Sequence, residues 1–332
     1  MSAAQSRARE VAARVLLVVI AIGIAVFISD VALRLVGYQP TILDPEMFVA
    51  DSDSLMPYAL RPGYSGWYAG SHVSIDSNGF RVVRSAWQPS PRTPEKRLLL
   101  LGDSQVFGAG VADSETIPSQ LQDSLAARGL NIRVLNIGVP GYSSWNEYRA
   151  LDRYLAKHRV DDVILLYHPG DATFENDILH IGRGDFETPT RRVVRAMYRR
   201  VNTIAFLRQS WLELRARRAN PASDTTGPSD SVMAYSMRAV QQAAELCRRQ
   251  GIGFSVGVYR HIDALTSPVS WSAYEKRIRA ALAERGIRWF LVASHTSHLR
   301  PREIMVSLAD RHASARASSF IVTDILTAMN EH

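Results

Sequence analysis

From Arg97 onward, short runs of consecutive apolar residues alternate with stretches that place apolar side chains every three to four residues. The runs are Leu98–Leu101, Arg133–Ile137, Val163–Tyr167, Phe254–Tyr259 and Arg288–Val292. Helical patterns fall near 115–128, 145–158, 231–250, 271–285 and 314–329. A strand that is apolar along its whole length needs cover on both faces, and parallel strands need long crossovers, usually helical. The alternation therefore predicts an α/β domain with a five-stranded parallel sheet, doubly wound. No internal repeat competes with this reading.

The chain has 332 residues, enough for one α/β domain with insertions or for two domains. Its apolar fraction of 46% supports a sizeable core. The net charge of +7 is carried by an excess of arginine. Such a balance suits an anionic surface or substrate, such as lipid head groups or acidic glycans. Nucleic acid is not expected, because no helix-turn-helix, zinc-finger or aromatic-rich RNA-binding pattern is present. The single cysteine, Cys247, excludes an internal disulfide and a cysteine zinc site, and reads as a buried thiol.

Val15 to Ser29 carries no charge; Asp30 and Arg34 follow, and apolar residues continue to Val36. Residues 15–36 meet the roughly 20 residues a spanning helix requires if Asp30 and Arg34 pair near the interface. A cleaved signal peptide is the alternative, but no Ala-x-Ala site follows the run. Arg7, Arg9 and Arg14 precede the helix, which keeps residues 1–14 cytoplasmic. The expectation is a single-pass anchor in the cytoplasmic membrane, with the remaining chain on the periplasmic or extracellular side.

Residues 37–96 read as a pre-domain and linker. Val73 to Arg81 alternates and breaks at Asn78-Gly79, a strand followed by a tight turn. Pro89, Pro91 and Pro94 mark the linker. Residues 178–230 form an insertion with an arginine-rich helix over Arg191–Arg218. Its apolar residues Val194, Met197, Val201, Ile204, Trp211 and Leu214 have amphipathic spacing. Either this helix packs on the domain with a solvated basic face, or it acts as a lid or touches lipid or an anionic glycan.

Three short segments carry candidate chemistry. Gly102-Asp103-Ser104 follows the first strand directly, where a doubly wound sheet places its ligands. Asn136-Ile137-Gly138 ends the second strand, where a glycine N–H suits a developing oxyanion. Asp310-Arg311-His312 precedes the last helix; a histidine base oriented by a carboxylate is what a serine nucleophile requires.

Taken together, these blocks resemble the SGNH, or GDSL, hydrolase family over about residues 97–330. The first block is Leu100-Leu101-Gly102-Asp103-Ser104-Gln105-Val106-Phe107-Gly108, the second Asn136-Ile137-Gly138, the last Asp310-Arg311-His312-Ala313. Upstream, Asp76-Ser77-Asn78-Gly79-Phe80-Arg81 is similar to a segment of membrane-anchored bacterial members. The resemblance implies a three-layer α/β/α sandwich and a triad of Ser104, His312 and Asp310. It also implies ester or acyl chemistry with no metal or cofactor. Ser104 and Gly138 would contribute to the oxyanion hole. The family's third block, Gly-x-Asn-Asp, departs here to His168-Pro169-Gly170-Asp171. Asp171, or Asn176 from a displaced loop, takes the place of the asparagine donor, and losing one such donor costs about 2.7–4 kcal/mol of barrier.

His168 is a candidate for lining the substrate site. His295 and His298 lack a third ligand and read as loop residues. Three functions follow. An ester hydrolase and an acyltransferase share the triad and differ in the acceptor, water or a sugar hydroxyl. The substrate of either is an acylated glycan or a small ester. A glycan-binding or scaffold protein that retains the fold without turnover is the third. The oligomeric state is left open.

Overall fold

Every one of the five apolar runs forms a strand. The computed structural model describes residues 3–38, 45–87, 90, 95–172, 193, 196–198, 200–218, 229–259, 268–292, 299–307 and 310–330. Helix α1 (Ala3–Leu35) leads the chain. Two small antiparallel pairs follow, β1 (Phe48–Val49) with β2 (Ala59–Leu60), and β3 (Ser65–Tyr68) with β4 (Ser71–Ser74). Then come β5 (Lys96–Leu101), α2 (Ser104–Phe107), α3 (Ile117–Ala127), β6 (Ile132–Asn136), α4 (Ser144–Leu155) and β7 (Asp162–Tyr167). The insertion contributes α5 (Asn202–Arg218). The chain continues with α6 (Asp230–Arg249), β8 (Gly253–Tyr259), α7 (Pro268–Glu284), β9 (Trp289–Val292), α8 (Pro301–Ile304) and α9 (Ala315–Asn330).

The five-stranded sheet is parallel throughout, in the order β6-β5-β7-β8-β9. Leu98 to Leu101 are all at most 3% exposed, as expected of a strand covered on both faces. Their side chains alternate. Leu98 and Leu100 join Val134, Ile164 and Leu166 under α3 and α9. Leu99 and Leu101 join Val163, Leu165 and Val256 under α4, α6 and α7. This is the expected three-layer sandwich. Each fully buried leucine contributes on the order of 1.5–3 kcal/mol. Cys247 is buried in the second layer, and burial pushes its thiol up to about 12.

The strand order reverses between β5 and β7, so a crevice opens beyond their carboxyl ends. Residues 45–81 pack over this end. Met47, Phe48, Tyr58, Tyr64 and Tyr68 share one apolar cluster with Phe107 of α2 and with Val139 and Tyr142 from the loop after β6. The Tyr58 hydroxyl donates to the Pro140 carbonyl at 2.5 Å, and Tyr142 donates to the Tyr58 carbonyl at 2.6 Å. The upstream segment is thus bonded to the chain that forms the crevice. The turn at Asn78-Gly79 is present: Asp76 Oδ1 accepts the Asn78 and Phe80 N–H groups, and Gly79 has φ +83°.

Helix α1 begins at Ala3, so the segment expected as a tail is helical from there. Its Arg9–Leu35 stretch has the length to cross a membrane, and the most apolar 18-residue window within it has mean hydropathy 2.9 and no buried residue. Helix α5 departs from the packed one of its two expected arrangements. Trp211 and Leu214, assigned by spacing to a docked apolar face, are 56% and 46% exposed. Val194 lies outside the described residues.

Candidate active site

Ser104 sits at the switch point between β5 and β7, as the first residue of α2. Asp103 caps this short helix, with Oδ1 accepting the Gln105 N–H at 2.8 Å. The Ser104 carbonyl accepts the N–H groups of Gly108 and Ala109, both at 3.0 Å. Gly108 ends the helix at φ +85°, a left-handed conformation that costs glycine little.

His312 Nε2 lies 2.8 Å from Ser104 Oγ, and His312 Nδ1 lies 2.5 Å from Asp310 Oδ1. The carboxylate favours the tautomer with hydrogen on Nδ1, which leaves Nε2 to accept the serine proton. The loop is braced from within. Val306 N–H bonds the His312 carbonyl at 2.9 Å, and Ser307 N–H bonds the Asp310 carbonyl at 3.0 Å. Gln105 ties the loop to the nucleophile's helix, with Oε1 accepting the Ala313 N–H at 3.1 Å. Gln105 escaped notice in the sequence because only its buried position, 7% exposed, reveals the role.

Two of the expected oxyanion groups, Gly138 and Asp171, hold other bonds. The Gly138 N–H donates to Asn136 Oδ1 at 3.0 Å. What requires glycine at 138 is packing, since a Cβ there would meet the Phe107 nitrogen at 2.3 Å. Gly138 therefore lets the second loop lie backbone to backbone against α2. Asp171 Oδ2 accepts the His168 N–H at 2.5 Å, closing the turn after β7. A carboxylate accepting this bond acts opposite to a donor. Asn176, His295 and His298 lie outside the described residues.

His168 does reach the site. Its Nδ1 is 3.7 Å from Asp103 Oδ2, and its ring meets Tyr259 edge-on at 5.6 Å. Burial, together with the charge of His312, pushes its pKa down to about 3, so the ring is neutral. The ligating atoms of Asp103, His168 and Asp171 lie within 4.8 Å of one another. Both carboxylates in that group already hold backbone N–H groups.

Beside this cluster lies Glu147 of α4, 1% exposed, with no hydrogen-bond partner for either carboxyl oxygen among the described residues. Burial, reinforced by Asp103, holds its pKa well above the ordinary 4.5. Asp103 is raised as well, again by burial, while the Gln105 N–H and His312 pull it back. The unfolded chain releases the Glu147 proton near pH 4.5; the folded chain releases it only at higher pH. Its contribution to stability is complete below that pH and is lost as pH rises, by about 1.4 kcal/mol per unit. Glu147→Gln should therefore raise the melting temperature at pH 8 by several degrees and far less at pH 5. An equal shift at both pH values would mean that Glu147 is ionised in the fold.

Arg81, from the upstream segment, completes the scaffold. Its guanidinium is buried, paired with Asp113 at 3.0 Å, and donates to the carbonyls of Phe107, Gly108 and Val111. It holds the end of α2 opposite Ser104.

No protein-family model matches this chain, and no curated protein matches it. Some solved structures have a low-level likeness to it. TesA is 16% identical with a TM-score of 0.46, over 71% of this chain and 99% of that one. The psychrotrophic esterase EstA from a Pseudoalteromonas species is 11% identical with a TM-score of 0.41, over 71% and 98%. The lipase/acylhydrolase from Enterococcus faecalis is 13% identical with a TM-score of 0.43, over 71% and 96%. At such identities and scores the likeness carries neither fold nor chemistry, which rest on the strands and side chains described above.

Proposed function

We propose that this chain is a serine ester hydrolase or O-acyltransferase of the SGNH type, tethered to the cytoplasmic membrane by α1 with its α/β domain on the outer side. Its substrates in this reading are acyl esters of cell-envelope or exopolysaccharide glycans. The observation that carries the reading is the relay from Ser104 Oγ through His312 to Asp310, at 2.8 and 2.5 Å. The helix α1 and the arginine excess support the tether and an anionic partner.

Ser104 Oγ attacks the acyl carbonyl as its proton passes to His312 Nε2. Asp310 stabilises the imidazolium, which then protonates the departing alkoxide. An acyl group remains on Ser104. Water or a sugar hydroxyl attacks it next, giving its proton to His312, and the acid or a new ester leaves. The Ser104 N–H serves the developing oxyanion, and the Gly138 N–H joins only by leaving Asn136. Neutral His168 lines the acyl end.

A fluorophosphonate probe on the full chain in detergent tests the reading. Labelling should occur in the wild type and vanish in Ser104→Ala. A folded wild type that takes no label sinks the proposal and favours the glycan-binding alternative, which the engaged Gly138 and Asp171 groups motivate. Product analysis with a model ester and an oligosaccharide separates hydrolysis from transfer.

A further inference from the structure

Helix α5 turns an apolar stripe away from the protein. Leu207, Trp211 and Leu214 are four and three residues apart on one line of the helix and are 60, 56 and 46% exposed. Arg208 and Arg215 flank the stripe, stacked over Tyr198 and Trp211. Facing the protein, by contrast, the helix is mixed: Asn202, Thr203 and Ala205 are buried, and half-buried Gln209 donates through Nε2 to Glu213 Oε1 at 3.3 Å and to Ser307 Oγ at 3.4 Å. A helix that buries its stripe in a water-soluble domain has the reverse arrangement.

The same helix is fastened to the far end of α1. The Asn202 N–H donates to Asp30 at 2.5 Å, and the Thr203 hydroxyl to the Val26 carbonyl at 3.2 Å. Arg34 donates to the Arg200 carbonyl at 2.7 Å, and Phe206 meets Tyr38 edge-on at 5.6 Å. Asp30, paired with Arg34 at 2.7 Å, is the first charge after the apolar run. In a spanning helix, that first charge marks the level where hydrocarbon gives way to head groups. Helix α5 begins at this level.

Resting on the reading of α1 as an anchor, we propose that α5 is an interfacial helix that docks on the anionic phospholipid surface beside α1. Its apolar stripe enters the acyl-chain boundary, and Arg208 and Arg215 meet the phosphates. Lipid is the occupant because the stripe lies on a helix fastened to an uncovered apolar span and its flanking charges are arginines. The contact also reaches the chemistry. Ser307 Oγ, bonded by Gln209, accepts the Asp310 N–H at 3.0 Å, so the docked helix braces the triad loop.

The test uses the full chain in nanodiscs of phosphatidylcholine and phosphatidylglycerol. Cys247 is buried and its thiol is held protonated, so single added cysteines take a fluorophore selectively. Labels go to Leu207→Cys, to Ile20→Cys in mid-α1, and to Leu130→Cys at the amino end of β6 as control. Nitroxide lipids near the head group should quench the Leu207 label strongly and the control little, with less quenching when the anionic lipid is omitted. Deep nitroxides should quench the Ile20 label. Quenching at Ile20 with Leu207 at control level overturns the proposal and leaves the anchor standing; energy transfer between copies would then give the face to a second chain. No quenching at Ile20 overturns the anchor reading itself, and the proposal with it.

Discussion

Alanine at His312 should lower kcat/KM for p-nitrophenyl acetate by about 10⁴-fold or more while the fold melts as before. His312 is a third exposed and lies in a loop rather than in the sheet, so its loss removes little packing. What it removes is the only base within 2.8 Å of Ser104 Oγ among the described residues. Neutral His168 is nearby, but its contact is with Asp103. Asp310→Asn should cost a similar factor for a different reason. An amide offers its NH₂ to Nδ1, moves the ring proton to Nε2, and turns the base away from the serine. Because the three residues act as a unit, Ser104→Ala combined with His312→Ala should be no worse than either alone. A His312→Ala variant within tenfold of wild type would mean that Ser104 is not activated through this ring.

The sandwich was readable because strands buried on both faces must be apolar throughout. Leu98–Leu101 and Val163–Tyr167 satisfy that rule, and the observed strands add only a residue or two at their ends. The triad was readable for a different reason. Ser104 follows a strand immediately, and Asp310 and His312 are neighbours in sequence, so local context reports their place. The oxyanion side was not. Whether Gly138 donates to a ligand or to Asn136 depends on a side chain two residues away, which no spacing reveals. Glu147 carries no signal in the sequence; its burial follows from how α4 meets the sheet. Arg81 was hidden most completely, since an arginine after a turn normally lies in solvent. The exposed face of α5 speaks against the packed one of its two readings, because amphipathic spacing identifies a stripe without saying what covers it.

Arg81→Ala should destabilise the fold by about 3–5 kcal/mol, the range for removing one partner of a buried ion pair. The side chain is fully enclosed and its loss strands several groups at once. Asp113, 4% exposed, loses its buried partner and keeps only the exposed Arg84 at 3.7 Å and the Ser74 N–H, and the carbonyls of Phe107, Gly108 and Val111 lose their donor. Lysine should recover only part of this, since one ammonium cannot replace a planar fork that serves four acceptors. The effect should reach catalysis through α2. Arg81 binds the Gly108 carbonyl, and the Gly108 N–H binds the Ser104 carbonyl at 3.0 Å, so the guanidinium fixes one end of the turn whose other end is the nucleophile. At a temperature where circular dichroism shows Arg81→Lys folded, kcat should fall while KM for a small ester changes little, because Ser104 drifts from His312 and no substrate contact is lost. A purely structural arginine would lower the melting temperature and leave kcat of the folded enzyme intact. That outcome would restrict Arg81 to joining the upstream segment to the domain.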